Sequence, residues 1–348
     1  MCVFPIFVEK LLGLNPSGLD IMDGINIPSF DRIIADSDLD GLCAAAVLKT
    51  YNPEAEVIFS HAALVRSGKI DNLITKSTAM VDLPFHPNCG WYLDHHQTNR
   101  PTGEEEDDFI QSGGVCNWEA SPSAARVAYD LLAKSIDLSH LEEIMPIVDA
   151  LDSGKISLQE FLADSPVLQL SRTLSLREEE YMQHLLGLFA SKKSISQILS
   201  DKKVSKQVSK VANERKLIEE YISNNTKIID RLALCRLDNS GFHSNGYLVT
   251  AWAGDKADAC CIIHGYEDGT LDDPRRPPLS ASFYANSFLE NGQDRYDLSR
   301  MATALDPSGG GHVNACGCRV QQPGLESNLE HWLNMWTNRE SELALTKD

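Results

Sequence analysis

The stretch "IIADSDLDGLCAAAVL", residues 33–48, closes an apolar run, sets Asp36, Asp38 and Asp40 on alternate positions, and resumes as an alanine-rich segment. "RIIA" before the acids reads as a strand, and "GLCAAAVLKTY" after them carries helix-like spacing. The acids therefore sit where a strand hands over to a helix. A calcium loop would place acids at its first, third and fifth positions and glycine at its sixth, as Asp36, Asp38, Asp40 and Gly41 do. Its twelfth position should then be a bidentate glutamate. That position is Val47, and the segment before the loop is strand-like, so the calcium reading fails. An Asp-rich turn that caps a helix needs one such acid. Three alternating carboxylates repel each other, by about 4 kcal/mol per pair at about 4 Å and an effective dielectric of about 20. A cation or a raised pKa has to relieve that repulsion.

Further along, "TAMVD" ends in Asp82 and "WYLDHH" ends in Asp94, His95 and His96. Each follows a strand-like run, as Asp36 follows "RIIA". Strands alternating with helical stretches over about residues 31–150 predict a parallel, doubly wound sheet, whose strand carboxyl ends share one ligand-binding edge. Asp149, in "EEIMPIVDALDSG", ends an apolar helical run and is a fourth candidate. Carboxylates and imidazoles together suit manganese- or magnesium-like ions, and so many donors suit two ions better than one.

The other segments are read as follows. "SPSAARVAYDLLAKS" carries a helix-start signal, a Ser cap with Pro at the first helical position. "GEEEDD" and "SGGV" read as loop. From about 155 to 235 the pattern is helical, including a long stretch ending "NNTKIIDRLAL". After residue 240, "GYLVTAWA", "ACCIIHGY" and "LSASFYAN" read as strands of a second, smaller α/β unit that ends in "SGGGHVNACGC". The N-terminal "MCVFPIFVEKLLGL" is interrupted by Glu9 and Lys10, is too short to span a bilayer and lacks a cleavage site, so it reads as an arm packed on the body.

The totals narrow the functions. The 348-residue chain carries a formal net charge of −19, which opposes a surface that grips long duplexes. Small anionic substrates held at a local cationic site remain open, and bound divalent ions would supply that charge. Nine scattered cysteines without a CxxC pair read as reduced thiols of a cytoplasmic protein.

"DSDLDG", "VD", "LDHHQTN" and "IVDALD", in that order, resemble the four motifs of the DHH phosphoesterase family, and "GGGHVNACG" resembles the glycine-rich motif of its associated C-terminal domain. The resemblance covers about residues 31–320. It implies an α/β fold with a parallel-sheet catalytic domain at 31–200 after an N-terminal arm at 1–30, a helical linker at 201–235 and a smaller α/β substrate-binding domain at 236–348. It implies two Mn2+ ions, with Mg2+ or Co2+ as alternatives, held by Asp38, Asp40, Asp82, His95 and Asp149, with Asp82 bridging. Some relatives carry a histidine where this chain has Ile34, and Asp36 is placed to substitute for it. His96 would face the scissile phosphate and Asp94 would orient the histidine pair. Gly309, Gly310, Gly311, His312 and Asn314 would line the nucleotide side of the cleft. Relatives commonly have an arginine in the strand where this chain offers Tyr284, which can stack on a base or donate one hydrogen bond but cannot form a charged clamp. Arg275 and Arg276 are a basic pair nearby.

The implied activity is metal-dependent hydrolysis of short single-stranded oligonucleotides or a related small nucleotide, without long duplexes or membranes as partners and with homodimerisation left open. Enzyme alternatives are a phosphatase of 3′-phosphoadenosine 5′-phosphate and a cyclic-dinucleotide phosphodiesterase. A nucleotide-binding regulator that keeps the fold without turnover is the non-enzyme alternative, although a binder has no need of so many acids.

Overall fold

The computed structural model describes residues 19–22 and 25–345, so the segment "MCVFPIFVEKLLGL" lies outside the described residues. Strands β1 (Leu19–Met22) and β2 (Ile25–Pro28) form an antiparallel pair. Ile27 and Phe30 then enter the first core.

That core is built on five strands, β3 (Arg32–Asp36), β4 (Glu56–Ser60), β5 (Thr78–Val81), β6 (Trp91–Asp94) and β7 (Val115–Trp118). Their order is β4-β3-β5-β6-β7 and every pairing is parallel. The central strands β5 and β6 are buried on both faces, which is why they read as unbroken apolar runs instead of alternating ones. The helix Leu39–Tyr51 is buried from Leu39 through Leu48. Ala44, Ala45 and Ala46 let it lie close to its neighbours, while burying Leu42, Val47 and Leu48 contributes about 1.5–3 kcal/mol each. It packs against the helices Ala124–Leu132 and Glu179–Ala190.

The stretch "GEEEDD", expected as loop, is helical from Gly103 to Gln111. Thr102 and Glu105 form a reciprocal cap there, and Phe109 anchors the helix to the sheet. "SGGV" leads directly into β7. The helix start in "SPSAAR" is capped by Ser123, so the first helical residue is Ala124, two residues after the Pro122 that the sequence suggested. Between β4 and β5 the chain forms two short helical pieces, Ala62–Arg66 and Asp71–Leu73.

The long helix runs from Lys202 to Asn225, and "TKII" then turns directly into β8 (Thr226–Ile229). With β9 (Leu232–Arg236), β10 (Ala259–His264), β11 (Ser280–Ala285), β12 (Gly310–His312) and β13 (Ala315–Arg319), it forms a sheet of order β12-β13-β11-β10-β9-β8. Only β9 and β10 pair in parallel. One face packs Phe283 against Trp332 and Trp336 of the helix Leu325–Thr337. On the other face lies "GYLVTAWA", which is a helix, Gly246–Ala253, and not the expected strand. Eight short apolar residues suit either element by pattern, and packing of Val249 and Ala253 on Cys235 and Cys260 decides for the helix. The described cysteines are all free, and all but Cys116 are buried. No described helix is long and apolar enough to cross a membrane.

At the end of β10, His264 stacks on His243 with ring centroids 4.5 Å apart. His264 is 4% exposed, and neither of its ring nitrogens has a hydrogen-bond partner. Burial, with His243 alongside, holds its pKa well below the ordinary 6.5, and Arg177 adds positive charge beside His243. The unfolded chain therefore takes up the proton first as pH falls, so this pair costs stability below about pH 6.5. Between pH 7 and 5.5, urea denaturation is expected to show wild type losing about 1–2 kcal/mol more than His264→Leu. Parallel pH profiles for the two proteins would reject this.

Candidate metal centre and substrate cleft

The carboxyl ends of β3, β5 and β6 deliver Asp36, Asp82 and Asp94 to one edge of the parallel sheet, and the turn after β3 adds Asp38 and Asp40. Gly41 makes that turn possible, because a Cβ there would lie 2.3 Å from the Asp36 carbonyl oxygen. Asp38 caps the following helix by accepting the Gly41 N–H at 2.9 Å, so part of the helix-cap reading holds for this one acid. Asp40 is 2% exposed, and its two oxygens accept the N–H groups of Ala124 and Ala125 at 2.7 and 2.6 Å. It thereby sits on the N-terminus of a second helix. Asp82 adopts φ +58°, a left-handed conformation that aspartate tolerates, and its N–H donates to Leu93 O.

The histidine pair is held from behind. Asp94 is fully buried and accepts from Tyr92 Oη at 2.8 Å, Asn99 Nδ2 at 2.8 Å, the His95 N–H at 2.8 Å and His96 Nδ1 at 2.9 Å. Burial alone would raise its pKa, but His96 and these donors hold it below the ordinary value. His95 Nδ1 lies 3.0 Å from the Ser121 carbonyl oxygen. This pins a proton on Nδ1 and turns Nε2 toward the acids, where it would give up its own proton and offer its lone pair to a bound cation, the arrangement of a metal-ligating histidine.

That Nε2 lies 3.0 Å from Asp152 Oδ2, 3.5 Å from Asp40 Oδ2 and 3.9 Å from Asp82 Oδ1. The expected ligand Asp149 is elsewhere: Ser123 Oγ donates to it at 2.7 Å, and Arg126 grips it through Nε at 3.0 Å and Nη2 at 2.6 Å. The residue facing His95 is the second acid of "IVDALD", Asp152, which sequence reasoning missed. Asp149 and Asp152 are three apart on the helix Met145–Asp152 and share a side of it, so spacing cannot choose between them.

Asp82 Oδ1 and His312 Nε2 are buried without a hydrogen-bond partner, whereas His95 Nε2 and Asp152 Oδ2, also buried, face each other at 3.0 Å as an ion pair. Asp40, His95 and Asp152 bring ligand atoms within 4.8 Å of one another, as do Asp82, Asp94, His95 and His96. Asp36 and Asp38 stand outside these tight groups, although both interact with His96 across the edge. Burial followed by the neighbouring carboxylates raises Asp82 and Asp40 well above the usual carboxylate range. Burial and then Asp38 push Asp36 up to about 8. Burial opposes the charge on His95, yet Asp152 and the other acids push it up to about 10. An orphaned carboxylate oxygen, an imidazole nitrogen aimed at the acids and mutually repelling carboxylates at one point are what divalent cations would satisfy.

Gly310–His312 is the edge strand β12, paired to β13. His312 stacks on His96 with centroids 4.3 Å apart, and its Nε2 lies 3.8 Å from Asp152 Oδ2. Asn314 is engaged in holding the neighbouring loop, donating to Asp294 Oδ1 at 2.8 Å and accepting the Asp294 N–H at 2.9 Å. Tyr284 lies against Gly246, where a Cβ would approach its ring to 2.2 Å. Arg276 pairs with Asp268 and stacks on Tyr266, away from the edge. A cavity of about 490 Å3 opens beside the acids, lined by His95, Asp152, Lys155, Tyr284, His312 and Asn314 among others.

No protein-family model and no curated protein matches the sequence. Among solved structures, the pGpG-specific phosphodiesterase PggH from Vibrio cholerae matches over 89% of this chain and 99% of its own, with 21% identity and a TM-score of 0.60. Exonuclease RecJ bound to manganese matches over 89% of this chain and 90% of its own, with 13% identity and a TM-score of 0.45. The resemblance carried by "DSDLDG", "LDHHQTN" and "GGGH" is thus matched by a shared fold with a phosphodiesterase over nearly the whole chain.

Proposed function

We propose that this protein is a divalent-metal-dependent phosphodiesterase acting on short oligonucleotides or a related small nucleotide, with Mn2+ as the working ion. The observation that carries this reading is the convergence of three buried ligand-type atoms beside a cleft: Asp82 Oδ1, which has no partner, and the close pair His95 Nε2 and Asp152 Oδ2. Asp38, Asp40, Asp82, His95 and Asp152 would hold two ions, with Asp36 close by. Bound ions of this kind supply an activated water and a counter-charge for the phosphoryl oxygens.

The chain's own groups do the rest. His95 is fixed in one tautomer by the Ser121 carbonyl. Asp94 holds His96 through Nδ1, leaving its Nε2 to donate to a phosphate oxygen or the leaving oxygen. His312, stacked on His96, brings a second imidazole from the other sheet to the same phosphate. A cleft of about 490 Å3 is the size of a small-ligand site and not a polymer groove. The net charge of −19 favours the same substrate scale. The fold shared with a pGpG-specific phosphodiesterase supports a dinucleotide-sized substrate.

The test is a panel of linear dinucleotides, cyclic dinucleotides and 3′-phosphoadenosine 5′-phosphate, incubated with Mn2+, Mg2+, Co2+ or EDTA and read by product chromatography. Metal-dependent release of mononucleotides from the linear dinucleotides is expected. Preference for the adenosine bisphosphate or the cyclic compounds would move the assignment to those alternatives. Nucleotide binding without turnover under any metal would leave a binding protein.

A further inference from the structure

The hydrolytic reading leaves the half-buried cation Arg66 without a role. Arg66 ends the short helix Ala62–Arg66 and reaches across to the second sheet. Its Nη1 donates to the Ser308 carbonyl at 2.8 Å and its Nη2 to Asn99 Oδ1 at 2.8 Å. Asn99 Nδ2 in turn donates to Asp94 Oδ2 at 2.8 Å, and Asp94 Oδ1 takes His96 Nδ1 at 2.9 Å. A second connection runs back: Thr98 Oγ1 accepts the Gly311 N–H at 3.1 Å and lies 3.2 Å from the Gly311 carbonyl oxygen. The next residue is His312, whose ring lies on that of His96 with an interplanar angle of 22°.

These contacts close a ring. Arg66 holds Ser308 just before β12 and Thr98 holds Gly311 within it, on either side of Gly310, and Asn99 and Asp94 pass the position of Arg66 to His96. The glycines fit the same role. A Cβ on Gly310 would come within 3.1 Å of the Arg66 guanidinium, and one on Gly309 or Gly311 would lie 2.5 Å from a backbone oxygen. The glycine run lets the strand lie flat on the guanidinium.

We propose that Arg66 is a positioning residue that sets the register of β12 against the "DHHQTN" segment, so that His312 and His96 face one substrate phosphate together. The proposal rests on the phosphodiesterase reading for its kinetic consequence, but its geometric content is separate. Arg66 touches none of Asp40, Asp82, His95 or Asp152 among the contacts described, so it acts on alignment and not on metal loading.

The experiment compares wild type with Arg66→Met, Arg66→Lys and Arg66→Ala in the full chain. With the best substrate of the panel, Arg66→Met is expected to lose about ten- to a hundredfold in kcat, the scale of a misplacement of about 1 Å, with KM and Mn2+ affinity changing less than about threefold. Added guanidinium is expected to restore part of the kcat of Arg66→Ala, and Arg66→Lys to fall between Met and wild type because it can make one of the two bonds. Without substrate, the ring-proton resonances of His96 and His312 should lose the shifts of a stacked pair in Arg66→Met, while those of the distant His264 stay fixed. A lower melting temperature with unchanged kcat, no guanidinium rescue, and unmoved His96 and His312 resonances would each overturn the proposal. Should wild type hydrolyse nothing, the phosphodiesterase reading falls, and the histidine spectra alone still decide whether Arg66 sets the register.

Discussion

Asp82→Asn is expected to abolish hydrolysis and, at the same time, to make the metal-free protein harder to unfold. Asn tolerates the left-handed backbone at this position, φ +58°, so the change removes charge without adding strain. Asp82 is 3% exposed, its Oδ1 has no partner, and Asp40, Asp38, Asp152 and Asp36 all press against it. Its folded pKa lies well above the ordinary 3.8, so the folded protein binds this proton more tightly than the unfolded chain. The metal-free protein therefore loses stability as pH rises above about 3.8, through the raised folded value. Neutralising the side chain removes that loss, for a gain of about 1–2 kcal/mol near neutral pH. Turnover should fall on the order of a thousandfold or more, because the charge that holds the ions is gone. Urea denaturation with EDTA or Mn2+ makes the exchange visible: Mn2+ should raise the wild-type midpoint and leave the variant's unchanged. Turnover within tenfold of wild type would remove Asp82 from the ligand set.

The second large effect separates two acids three residues apart. Asp152→Asn should lose Mn2+-dependent stabilisation and reduce hydrolysis on the order of a thousandfold. Asp149→Asn should keep turnover within about threefold and instead lower stability by about 1–3 kcal/mol, by loosening Arg126 and Ser123. Calorimetric titration with Mn2+ and thermal unfolding of both variants check this. The reverse result, an inactive Asp149→Asn and an active Asp152→Asn, would restore the sequence-based assignment and displace Asp152.

The strand ends and their acids were legible because a parallel sheet imposes its own rule: buried strands read as apolar runs, and whatever follows them lies on one edge. "RIIAD", "TAMVD" and "WYLDHH" needed nothing more. Asp152 was hidden because a helix offers both acids of "VDALD" to the same side, and the choice depends on how Met145 and Val148 seat the helix against the helices Leu39–Tyr51 and Ala124–Leu132. The helical "GYLVTAWA" was hidden for a related reason, since a short apolar run has the same pattern in either element. The strand in "GGGH" was hidden because glycine has no β preference of its own; the pairing of Gly310 with Gly317 and the grip of Thr98 on Gly311 create it from outside. Arg66 carried no signal in sequence, as its partners lie 33 and 242 residues away.

Asp40 serves two masters. Its carboxylate faces the histidine at the centre, and it also takes the first free N–H groups of the helix that begins at Ala124. On the proposed reading, selection for hydrolysis and selection for folding therefore act on the same side chain, whereas Asp82 would answer to hydrolysis alone and even burdens the fold. In a descendant that had given up catalysis, Asp82 would drift early and Asp40 would persist, leaving an acidic fossil in a protein with no remaining use for metal.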